Sequence, residues 1–212
     1  MEYEIYLYDF LALAFAHFIA LLSPGVDFFI IISNSSKYGK IAGIFTSAGI
    51  ATANLIYILL ALFGITLIKN NELIFISIKI IGALYLFYIA YLLILAPRRD
   101  LFQKNDKVYI NHKKELLGHF MQGFLSAILN PKNSIFYFTM FSISIQTHTP
   151  IEIQSFYALW MFLAVLLWDI FIVYLVNHEK AKVFIQEYSN FIEKISGLVL
   201  FIIATLIIIH SI

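Results

Sequence analysis

The 212-residue chain is 61% hydrophobic and 13% charged, with mean hydropathy +0.87 and a formal net charge of +1; a soluble domain runs at roughly 45–50% apolar and 25% charged. No water-soluble fold of this size hides that much apolar surface, so the composition predicts an integral membrane protein. The near-neutral charge gives no electrostatic reason for a nucleic-acid partner, and the absence of cysteine excludes disulfides, thiol redox chemistry, thiolate zinc sites and cysteine nucleophiles.

The chain begins Met1-Glu2-Tyr3-Glu4, with Asp9 following and no Lys or Arg before Lys37. It lacks the basic n-region of a signal peptide, so its first apolar segment is expected to remain in the mature protein. Apolar runs long enough to cross a bilayer, about 20 residues each, follow at 10–32, 41–68, 73–96, 116–145, 151–176 and 191–209. The expected fold is therefore all-α integral membrane, six transmembrane helices in a single domain over 1–212, with the polar stretch 97–115 as a cytoplasmic loop. Lys37 and Lys40, the six basic residues of 97–115, and Lys180 with Lys182 fall on one side of that plan, against Lys69 alone on the other. The positive-inside rule then places both termini outside the cytoplasm, in a multi-pass protein of the cell membrane.

Three spans per half make the second half, 116–212, upside down relative to the first, 1–96, if the two are related. This is the inverted-repeat plan of secondary transporters. Ser23-Pro24 matches Asn130-Pro131, and Ala16/Gly123, Phe18/Leu125 and Leu22/Leu129 pair at the same constant offset. Each proline breaks its span, the first and the fourth, and should free the carbonyl four residues earlier, that of Ala20 or Ala127. Each break also reads as a helix start, with Ser23 and Asn130 as N-caps and proline at the next position. Two half-helix N-termini then converge near mid-membrane, beside Gly25, where their amides and dipoles suit a carboxylate. Lys132 adds a full positive charge, and Asp27 could take an ammonium group or a proton. The structural alternative is that the prolines kink packed helices, Asp27 steadies a helix start and Lys132 pairs with it.

Asp169, between Trp168 and Ile170 in the fifth span, is a further candidate, because a charge in the membrane costs about 2.5–3.5 kcal/mol even on insertion scales. Asn54 and Tyr57 share a helix face and could line the cavity or bond between helices. His17, among Phe15 and Phe18, reads as a packing residue with proton transfer as its functional alternative. Lys79 is expected to snorkel to the outer interface. Gly39, Gly43, Ser47 and Ala51 form a small-residue ridge that indicates close helix packing and is compatible with a homodimer. The remaining histidines are scattered without metal-ligand spacing.

Ser23-Pro24-Gly25-Val26-Asp27, Asn130-Pro131-Lys132 and Gly82-Ala83-Leu84-Tyr85-Leu86 together resemble the lysine exporter (LysE/RhtB) family of amino-acid efflux transporters. The likeness runs from Phe10 to Ile209 and includes Gly39 and Gly49. Family members usually carry a second proline where Val26 stands and a glycine where Ala90 stands. The resemblance implies export of amino acids or related small metabolites by alternating access, driven by a proton or other coupling ion, with no cofactor. Asp27, Lys132 and Asp169 sum to −1 against the partial positive charge of two helix N-termini, which favours a neutral amino acid such as threonine, homoserine or leucine. Efflux of a divalent metal or another small cation is the alternative, and for a divalent metal it would need a ligand cluster that the histidines and absent cysteines do not supply. An intramembrane enzyme is disfavoured because Ser23 and His17 form no evident nucleophile and base.

Overall fold

The computed structural model describes residues 2–23, 25–68, 71–98, 101–102, 113–146 and 149–211. Among them the regular structure is all helical: α1 Glu2–Leu22, α2 Val26–Tyr38, α3 Lys40–Ile68, α4 Glu72–Ile94, α5 Lys113–Ile128, α6 Pro131–Ser144, α7 Ile151–Val176 and α8 Glu179–Ser211. The helices stop where the sequence supplies punctuation. Gly39 takes φ +90°, a left-handed conformation that lets α2 end and α3 begin at once. Asn71 caps α4 by accepting from the Ile74 N–H at 3.2 Å, and Pro150 precedes α7.

Four helices are long and apolar enough to cross a bilayer, within α3, α4, α7 and α8; α1 and α2, meeting at a bend of 54°, make a fifth candidate. The expected span 116–145 is divided into α5 of 16 residues and α6 of 14, each too short to cross alone. Two expected boundaries are corrected. The first helix starts at Glu2 rather than near residue 10, and the polar interval 177–190 between the last two apolar runs, expected as a loop on the Lys180 and Lys182 side, is helical from Glu179. The second difference has a physical cause: Val183, Phe184, Ile185 and Tyr188 recur among the charges at helical spacing, and Ile185 is buried. Most of the expected loop 97–115, Lys69, His112 and His148 lie outside the described residues.

α3 is the central element, packed by α2, α5, α6 and α7, while α4 and α8 pair with each other. α3 and α5 cross at backbone contact: a Cβ on Gly49 would overlap the Phe120 carbonyl oxygen, and one on Gly123 would overlap that of Thr46. The ridge is spent inside the chain. Gly43, Ser47 and Ala51 are buried, and a Cβ on Gly43 would stand 2.9 Å from Ser35 and Val173. These three positions therefore offer no surface to a second copy, while Gly39, the first of the ridge, has open space beside it.

Polar ties mark the two ends of the bundle. At one, Asn34 donates to Thr46 and Gln122, both at 2.9 Å, and Asn177 donates to Ser35 at 2.7 Å. These join the second half of α2, the start of α3, α5 just beyond its midpoint and the end of α7, where Lys40 also stands over the Tyr174 ring. At the other, Gln146 donates to Asp9 at 3.0 Å and the Tyr157 hydroxyl to the Tyr6 carbonyl at 2.8 Å.

Candidate functional site

The two helix breaks lie side by side. The Lys132 ammonium donates to the Ser23 hydroxyl at 3.2 Å and stands 3.6 Å from where a Cβ on Gly25 would be. The second break has the expected chemistry, with Asn130 accepting from the Lys132 N–H at 3.0 Å and Pro131 opening α6. The first differs. Gly25, in extended conformation and without a side-chain cap bond, precedes α2, so Ser23 is engaged by Lys132 instead of capping. Pro24 lies outside the described residues.

The expected free carbonyls are also corrected. Ala20 accepts from the Ser23 N–H at 3.3 Å, and Ala127 accepts from the Asn130 N–H at 3.2 Å and from the Asn133 side chain at 3.4 Å. The chain turns tightly enough at each break to satisfy them locally. The Ile128 carbonyl is instead reached across the helices by the Tyr57 hydroxyl, the bonding role among the two expected for Tyr57.

Asp27, in the first turn of α2, accepts from Ser126 at 2.7 Å and from Asn133 at 2.8 Å. Lys132 thus donates to a neutral hydroxyl and Asp27 accepts from neutral donors, so the direct pairing of the two in the structural alternative is not formed. A cavity of about 70 Å³ is lined by both, together with His17, Ser23, Gly25, Asn54, Asn130, Asn133 and Asp169 and the rings of Phe28, Phe136, Tyr137 and Trp168. Three buried groups on it find no hydrogen-bond partner among the described residues: both ring nitrogens of His17, the Asn54 carbonyl oxygen and one Asp169 oxygen. Leaving a buried polar group unpaired costs about 1–3 kcal/mol, so these atoms are placed for water or a solute. His17 departs from its packing expectation in this respect. It stacks on Phe136 and meets Tyr137 and Trp160 edge-on, yet those rings leave its nitrogens unsatisfied.

Pro131 lines a neighbouring cavity instead, with Gly25, Asn130, Lys132, Tyr85, Tyr88 and Glu193. Ser126, Asn133 and Glu193 are the site residues that sequence reasoning missed. Glu193 could have been found, since it lies on one helical stripe with the buried Ser196, Leu200 and Ala204. Lys79 is half-buried on α4. Among the described residues no three His, Asp or Glu side chains are gathered to hold a metal.

A zwitterion has one carboxylate and one ammonium group, and the cavity presents a lysine and an aspartate, each hydrogen-bonded to neutral partners. A family model described as LysE type translocator matches residues 18–211. The uncharacterized membrane protein YrhP of Bacillus subtilis (strain 168) is 28% identical over 186 residues, 85% of this chain and 89% of its own. The uncharacterized membrane protein YahN of Escherichia coli (strain K12) is 28% identical over 155 residues, covering 73% and 68%. The threonine efflux protein of Salmonella typhi is 28% identical over 138 residues, covering 63% and 65%. No solved structure matches the chain.

Proposed function

The chain belongs to the LysE type translocator family, and on that premise we propose that it is a secondary transporter of the cell membrane that exports a small neutral amino acid. One observation carries the reading: Asp27 and Lys132 meet at two apposed helix breaks while bonding to neutral partners. The substrate carboxylate takes Lys132 and the helix starts, and its ammonium group takes Asp27 or Asp169. The kinship with a threonine efflux protein favours a substrate of threonine size. The cavity of about 70 Å³ has room for a few water molecules, so loading requires the breaks to part, as alternating access demands. A proton is the coupling ion in this reading, with Asp169 and His17 as its acceptors.

The same reading arranges the chain as six crossings in two inverted repeats. In such a fold only residues near the pseudo-two-fold axis approach their own equivalents. Under the offset that relates Ser23 to Asn130, Gly25 is equivalent to Lys132 and Ala90 to Gly197. Gly25 and Lys132 are neighbours, and a Cβ on Gly197 would stand 2.9 Å from the carbonyl of Ala90. The pairing of α3 with α7 and of α4 with α8 also maps onto itself under the exchange of halves.

The test is efflux of radiolabelled amino acids from cells expressing the protein. Threonine, homoserine or leucine should leave faster than from control cells, with lysine and arginine unaffected. Selective export of the basic pair would overturn the neutral preference, and export of no amino acid would overturn the reading itself.

A further inference from the structure

The cavity lined by Pro131 lies across the breaks from Asp27. It measures about 340 Å³ against about 70 Å³ for the first, and Gly25, Asn130 and Lys132 line both. Its remaining wall comes from α4 and α8, which contribute Tyr85, Tyr88 and Glu193. Glu193 is only 4% exposed. The larger cavity therefore offers one cationic and one anionic side chain, flanked by aromatic rings, in a space wide enough for a small amino acid.

Resting on the exporter reading above, the geometry points to this cavity as a second amino-acid site, the one loaded from the cytoplasm. Lys132 holds the substrate carboxylate, Glu193 its ammonium group, and Tyr85 with Tyr88 its side chain. Asn190, one turn before Glu193, bonds the Ala96 carbonyl at 2.9 Å, and α8 begins just beyond the end of α7, where Lys180 and Lys182 stand. This is the basic, cytoplasm-facing end in the proposed topology. Because Lys132 lines both cavities, it keeps the carboxylate while the ammonium group passes from Glu193 to Asp27. Gly25, without a side chain, leaves the way between them open.

The chain has no cysteine, so Leu92→Cys, at the edge of the larger cavity, is a sole thiol whose maleimide labelling in membranes reports occupancy. L-threonine is expected to slow labelling several-fold, and 2,3-dihydroxybutyrate, which carries a hydroxyl in place of the ammonium group, is not. Adding Glu193→Gln should abolish protection by threonine at equal amounts of membrane-inserted protein, and Glu193→Asp should restore part of it. If both ligands protect alike, or if protection survives Glu193→Gln, Glu193 serves only as a structural counter-charge and the proposal falls. Threonine efflux without any protection also overturns it while leaving the exporter reading intact. A chain that exports no amino acid overturns both.

Discussion

Asp27 holds its charge between Ser126 and Asn133, 2.7 and 2.8 Å away, and hydrogen bonds to a charged group contribute about 1.5–3 kcal/mol each. Asp27→Asn keeps the shape and removes the charge: its amide oxygen can still accept from Asn133 while its NH2 group donates to the Ser126 hydroxyl. If the charge serves substrate binding, initial efflux should fall roughly 10- to 100-fold with the membrane-inserted amount nearly unchanged on immunoblots. Unaltered efflux would return Asp27 to a helix-steadying role. Lys132→Gln should likewise weaken export, and because Lys132 and Asp27 line one cavity and would hold the two ends of one substrate, the double variant should lose less than the sum of the two single losses. Asp27, Lys132 and Asp169 were legible in the sequence because a charge within an apolar run carries its own desolvation cost. Ser126 and Asn133 were not, since neutral polar side chains are common between membrane helices and only the apposition of α2, α5 and α6 shows what they hold.

At the scale of the helices, the crossing of α3 and α5 sets the tightest tolerance. Gly49→Ala and Gly123→Ala each place a methyl group on the facing backbone, which cannot retreat as a side chain would. Each should destabilise by about 1–3 kcal/mol or more, visible as a lower thermal midpoint in detergent. Gly118→Ala on α5 meets nothing within 4 Å and should be neutral or stabilising by about 0.5–1 kcal/mol through helix propensity; equal losses at all three would refute the crossing. The four-residue ridge announced close packing in the sequence, yet it did not reveal that Gly49, on another face, makes the closest approach. The second break was legible for a simpler reason, since asparagine followed by proline is a local helix-start signal. The helical start of α8 at Glu179 was hidden because its charges resemble a loop until they are set against Phe184, Ile185 and Tyr188, which recur at intervals of three and four.

For the whole molecule, the decisive quantity is the parity of the crossings. Four continuous helices and one bent pair account for five, and the sixth depends on whether α5 and α6 together traverse the membrane or turn back within it. The side-chain ties favour traversal. α5 passes the end of α2, its His119 ring 4.8 Å from that of Tyr38 and its Gln122 bonded to Asn34, at the end bearing Lys40, whereas α6 leads to Gln146 beside Asp9, at the opposite end. The halves are nonetheless unequal in detail. Where the crossing of α3 with α5 has Gly49 and Gly123, the equivalent positions in the other halves hold Phe156 and Ala16, and α1 meets α7 there through rings, Phe10 lying 5.1 Å from Phe156. Under the proposed repeat, such replacements would account for the low sequence likeness between the halves. Parity has a direct readout. With six crossings and the lysine-bearing end inside, a C-terminal fusion should be active with a reporter that works only outside the cytoplasm and silent with one that works only inside, whereas a fusion after Phe102 should give the opposite pattern. If α5 and α6 turn back instead, the Phe102 fusion is unchanged and the C-terminal fusion moves inside, which would leave the second half without the crossing that an inverted repeat requires.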